Sequence, residues 1–165
     1  GIVVFSIVLA IITTLIVPQA VRSVDPIYHV RATELAQSLL NEITSKSFDE
    51  NSDRSGGMKR CNDAGELACT DAANLGAEEV GRDNFDDVDD YIAFDFSTDG
   101  PSVLVANQSL YKGFDAQVSV IYDGNYNNFF DNLNIPFEYD AKLIKVTVTT
   151  PSGEILVFSA YRSNF

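Results

Sequence analysis

Histidine is nearly missing from this chain: His29 is the only one. With no second imidazole, no Cys-x-x-Cys and no His-Glu-x-x-His, the familiar zinc patterns are excluded. Serine-histidine-aspartate chemistry would have to use His29 itself, which falls in a helical stretch remote from the strand loops. No glycine-rich phosphate loop occurs either. The paired acids have nothing to mark any two of them as a buried catalytic pair, so no enzyme is expected.

Basic residues are the next shortage. Lys and Arg number 11 against 24 Asp and Glu, for a net charge of −13. Nucleic acid is thereby excluded as a partner, because its phosphates require Lys and Arg. Docking on anionic lipid is disfavoured for the same reason. Cysteine is limited to Cys61 and Cys69, in CNDAGELAC. A metal site would need more ligands, and a reactive cysteine would need a histidine base. The expectation is a disulfide, which the chain-entropy model values at about 2.5 kcal/mol and which implies an oxidising compartment.

Charge is wholly lacking from Gly1 to Val17, GIVVFSIVLAIITTLIV, where Ser6, Thr13 and Thr14 are the only polar side chains. As a helix this run covers roughly 25 Å, slightly short of a bilayer core of about 30 Å. A start at Gly rather than Met reads as processing or trimming that removed further apolar residues. The expectation is a retained membrane helix, since no small-residue cleavage site follows. Residues 1–24 are read as an apolar segment for the membrane or a filament core, and 25–165 as a soluble extracytoplasmic head. Between such helices small and hydroxyl residues permit close approach, which makes Ser6, Ala10, Thr13 and Thr14 candidates for helix packing. Lipid-facing positions are the alternative for all four.

Asp25-Pro26 suits a helix start. From Tyr28 to Phe48, Ala32, Leu35, Ala36, Leu39, Leu40 and Ile43 recur at helical spacing. That stripe needs a covering surface, and strands downstream supply it. Tyr91–Phe96, Phe114–Tyr122, Lys142–Thr149 and Ile155–Tyr161 are the expected strands, with Val103–Ala106 a candidate addition. Pro151-Ser152-Gly153 joins the last two as a hairpin. The fold class is α+β: a long N-terminal helix, apolar in its first half and amphipathic in its second, packed on a roughly four-stranded antiparallel sheet. Phe48–Arg60 reads as loop, and so does most of the chain from there to Arg82.

Two oxygen-rich stretches invite calcium. In Arg82–Tyr91, RDNFDDVDDY, the expected arrangement is a solvated turn with Phe85, Val88 and Tyr91 inward and the aspartates facing water. In DGNYNNFFDN, Asp123, Asn125, Asn127 and Asp131 match positions 1, 3, 5 and 9 of an EF-hand loop. Asn128 holds the glycine position there and Asn134 the bidentate glutamate position, and an asparagine-rich turn is the competing account. No other cofactor is expected. Phe129 and Phe130 are candidates for a partner contact or for core packing. Asn107-Gln108-Ser109 fits a glycosylation pattern.

The order of these parts, with the runs GIVVFSIVLAIITTLIVPQA, ATELAQSLLNEITSKSFDENS and RDNFDDVDDY, resembles the type IV pilins, and among them the minor pilins of mannose-sensitive haemagglutinin pili. The resemblance covers essentially the whole chain. The cleavage signature of that family, with its glutamate near the mature N-terminus, does not occur, which would place Gly1 several residues inside the mature protein. What the resemblance implies is the pilin fold and a structural subunit that primes or caps a filament and so serves surface attachment. Its implied partners are other major and minor pilins, the inner-membrane assembly machinery, and the membrane before assembly. Its implied location is a single pass of the inner membrane with the head in the periplasm, and afterwards the extracellular pilus. The alternatives are a type II secretion pseudopilin and a membrane-anchored extracytoplasmic binding or sensor domain.

Overall fold

The computed structural model describes residues 25–53, 59–99, 110–129 and 138–164. Helix α1 spans Asp25–Thr44. Its stripe of Ala32, Leu35, Ala36, Leu39, Leu40 and Ile43 is buried throughout. The helix stops four residues before the expected Phe48, where hydroxyl side chains compete for its last carbonyls. Thr44 Oγ1 donates to Leu40 O at 2.7 Å and Ser45 Oγ to Glu42 O at 2.6 Å. Ser47 then leaves the helix and forms a single parallel bridge with Asp87. Val88 N–H donates to Ser47 O at 3.1 Å there.

Three strands form one antiparallel sheet in the order β1-β2-β3: β1 is Asp115–Tyr122, β2 is Ala141–Thr149 and β3 is Ile155–Ser163. Register places Val118 opposite Val146 and Val146 opposite Phe158. Alternation sends Ala116, Val118 and Val120 of β1 and Ile144, Val146 and Val148 of β2 to the face that α1 covers, where Leu156, Phe158 and Ala160 of β3 join them. The opposite face of β3 leaves Ile155 and Val157 more than half exposed.

The expected four-stranded sheet is therefore corrected to three strands among the described residues. Tyr91–Phe96 is not a strand. It divides between a 3-10 turn, Asp89–Ala93, and a one-turn helix α2, Phe96–Asp99. The reason lies in spacing and capping. Phe85, Val88, Tyr91 and Phe94 are buried at intervals of three, which a helical turn can satisfy and a strand cannot. Asp87 Oδ1 accepts the N–H groups of Asp89 and Asp90 at 2.9 and 3.2 Å, and Asp95 Oδ1 accepts that of Ser97 at 2.8 Å. These carboxylates take up donors that a ladder would have used. Val103–Ala106 lies outside the described residues.

The long helix with an apolar first half, and with it the single-pass inner-membrane placement, is corrected as well. α1 is the one long helix described, and no described helix is long and apolar enough to cross a membrane. Gly1–Val17, including Ser6, Ala10, Thr13 and Thr14, lies outside the described residues.

Candidate functional site

The sheet's alternation also places a lysine on its apolar face. Lys142, the second residue of β2, shares parity with Ile144, Val146 and Val148 and stands opposite Tyr122 in register. It is fully buried, beyond the last turn of α1. A lone buried ammonium is prohibitive, but this one has three acceptors. Its Nζ donates to Phe48 O at 2.6 Å, to Asp49 Oδ2 at 3.3 Å and to Asp89 Oδ1. Phe48 and Tyr122 add ring faces, with Nζ 4.7 and 5.3 Å from their centroids.

Both carboxylates are held in turn. Asp49 Oδ1 accepts the Asn51 N–H, and its Oδ2 accepts the Thr70 N–H and the Tyr122 hydroxyl. Asp89 Oδ2 accepts the Gly76 N–H at 3.3 Å. Burial, and then Asp49, push the Tyr122 hydroxyl far above its ordinary value, so it serves only as a donor here. Asp87, 1 % exposed, has its carboxyl raised to about 8 by burial and then by Asp89, against the opposing pull of Lys142. The expectation that the run's aspartates face water thus fails for Asp87, Asp89 and Asp90, all buried, and holds for Asp83. The inward expectation for Phe85, Val88 and Tyr91 is met.

A second polar tie links the same loop to α1. Arg82 donates through Nε to Glu42 Oε1 at 3.0 Å and through Nη2 to Glu42 Oε2 at 2.5 Å, while the Tyr91 hydroxyl donates to Oε1 at 2.7 Å. Burial pushes the Glu42 carboxyl up, but the hydrogen bonds from Arg82 and Tyr91 outweigh it and leave the group below the usual range. The guanidinium lies 5.1 Å from the Phe94 centroid.

Cys61 and Cys69 form a disulfide with Cα atoms 4.7 Å apart. It packs with Phe48 and Tyr122 in a small second core. Asn164 Nδ2 donates to Cys61 O at 3.2 Å and to Tyr139 O at 3.3 Å, tying the residue after β3 to the same loop.

Of the calcium candidates, Asp123 is buried and its carboxylate faces the chain's own donors. It accepts the N–H groups of Asn127 at 2.9 Å and Asn128 at 2.8 Å, and the Tyr161 hydroxyl at 2.6 Å. Burial, then that hydrogen bond, push the Tyr161 hydroxyl up to about 12. Asn125 Oδ1 and Asn127 Oδ1 accept the N–H groups of Asn127 and Phe129. Asn128 adopts φ 67°, the glycine-like geometry that asparagine tolerates. Asp131, Phe130 and Asn107-Gln108-Ser109 lie outside the described residues, and Phe129 is exposed.

A carboxyl that titrates near neutrality marks an active site when it faces a cleft. Asp87 and its neighbours Asp89, Asp90 and Lys142 are closed from solvent, which suits a structural tie. Local patterning did not disclose this cluster. The one signal was Lys142 at an apolar-face position of its strand.

Exposed apolar groups form the other candidate surface. Ile27 and Val30 protrude from the first turns of α1, 51 and 58 % exposed. His29 Nε2 lies 2.6 Å from Glu154 Oε2, in the turn between β2 and β3. That contact brings the start of α1 to the same end of the molecule as Ile155 and Val157. Compared with protein-family models, curated proteins and solved structures, the chain has no match.

Proposed function

We propose that this chain is a structural subunit of a surface filament of the type IV pilus class, a minor pilin of the mannose-sensitive haemagglutinin type that primes or caps the filament and so serves attachment. The observation that carries the reading is the exposure, toward the same end of a strongly acidic head, of Ile27 and Val30 at the start of α1 and of Ile155 and Val157 on the uncovered face of β3. Exposed apolar side chains on both sides of that end suit contact with more than one neighbouring subunit. The partners are then other major and minor pilins and the assembly machinery. The rest of the head is built for rigidity: a disulfide and two polar ties hold a long, ladder-poor connection against the sheet.

The test is genetic and visual. Deleting the gene reduces surface pili and attachment, and the wild-type gene restores both. Complementation with an Ile155→Glu/Val157→Glu pair restores neither, although the protein accumulates. Normal piliation and attachment in the deletion strain would overturn the proposal.

A further inference from the structure

Three carboxylates meet beside the buried loop. One oxygen from each of Glu78, Glu79 and Asp90 lies within 4.8 Å of the others. Crowded surface acids alone would mean little, but Asp90 is fully buried. Its Oδ2 is used, accepting the N–H groups of Asp86 at 2.8 Å and Asp87 at 3.1 Å. Its Oδ1 is sealed from solvent without a donor, and so is Glu79 Oε2. A buried carboxylate oxygen without a hydrogen-bond donor is costly, and two of them in one triad call for a positive charge, either a cation or a proton held between Glu79 and Asp90. Among the described residues, Lys142 is committed to Asp49 and Asp89, and Arg82 to Glu42.

We propose that Glu78, Glu79 and Asp90 form a binding site for a hard divalent cation, calcium by preference. The donor set is oxygen only, which suits calcium, magnesium or manganese over softer metals. Calcium is favoured because it accepts irregular geometry and six to eight ligands. Asp90 supplies the rigid, buried wall, while Glu79 is half-buried and Glu78 exposed, leaving an open side for water ligands. A second triad, Glu50, Glu79 and Asp86, shares Glu79 and lies alongside. Burial, then Asp90 and Asp86, raise the Glu79 carboxyl above its ordinary value, and burial chiefly does the same for Glu78. Such crowding is what a bound cation would relieve. The site is separate from the Asp123 loop and does not depend on the filament reading.

Thermal unfolding of the full chain, stripped with EDTA and titrated with calcium chloride, tests this. At a concentration about ten times Kd the folded-to-unfolded ratio rises about tenfold, a Tm increase of about 3–6 °C for a chain of this size. Glu79→Gln is expected to raise Tm without calcium, by removing repulsion, and to abolish the response. Glu78→Gln, at an exposed position that does not endanger folding, is expected to weaken calcium binding severalfold. Asp83→Asn, outside the triad, leaves the titration unchanged. No Tm response to calcium, magnesium or manganese overturns the proposal, the triad then being neutralised by a shared proton. So does a response that survives Glu79→Gln but disappears in Asp123→Asn.

Discussion

Lys142 of β2 and Asp89 of the 3-10 turn Asp89–Ala93, 53 residues apart, form an ion pair with both side chains almost fully withdrawn from solvent. Breaking one side of such a pair costs more than the pair contributes, because the remaining charge is left buried. Lys142→Met is expected to lower stability by about 3–5 kcal/mol, read from urea unfolding. The triple variant Lys142→Met/Asp49→Asn/Asp89→Asn should regain most of that loss. A single-variant cost below about 1 kcal/mol would show that the pair does not hold the loop.

Asp87 gives the protein a measurable pH dependence. Its carboxyl titrates at about 8 in the folded state against an ordinary value of 3.8. The folded state therefore binds this proton more tightly than the unfolded state does. Its contribution is largest at the acid end of that window and is lost as pH rises toward 8, where the slope ends. Asp87→Asn keeps a side-chain oxygen for the N–H groups of Asp89 and Asp90 and removes the titration. The variant should be more stable than the wild type at pH 8 by about 1–3 kcal/mol, and the difference should vanish near pH 4. Paired urea titrations across that range measure it, and parallel pH profiles would refute it.

The helix stripe and the strand alternation were legible because each is a local period. All six stripe residues are buried, and β1, β2 and β3 begin and end within two residues of their expected limits. Tyr91–Phe96 misled because an aromatic run resembles a strand unless the three-residue spacing from Phe85 is extended to Phe94. The buried acids were misread for a different reason. Charge alone predicts solvent, and only a partner brought from β2, more than fifty residues later, makes Asp89 tolerable inside. Long-range pairing of that kind leaves little trace in a local pattern, except for Lys142 itself on the apolar side of its strand.

Cys61–Cys69 closes a short loop that abuts Phe48 and Tyr122. Replacing both cysteines by serine is expected to cost about 2.5 kcal/mol through the unfolded chain's regained freedom. Denaturation with and without a reductant should give the same difference for the wild type. Identical midpoints would mean that the small core holds the loop unaided.

Stability and assembly should separate at the exposed end. Val157→Lys changes a 60 % exposed position, and its effect on unfolding should stay within about 0.5 kcal/mol. Leu39→Ala, in the buried stripe, should cost about 2–5 kcal/mol. On the filament reading the surface variant nonetheless reduces piliation in a complemented deletion strain. Full piliation by Val157→Lys would remove this residue from the proposed contact.

The Lys142 ammonium closes on the Phe48 carbonyl across 94 residues, and the stripe of α1 is covered by strands that are synthesised long after it. Few native contacts are therefore available to the helix while the chain is still being made at about 5–20 residues per second. Ordering must wait until β2 arrives, and closure over so long a separation is intrinsically slow. For seconds at a time Leu35, Leu39 and Ile43 remain open to solvent on a chain that cannot yet fold. During synthesis, that stripe is the apolar surface most open to wrong partners.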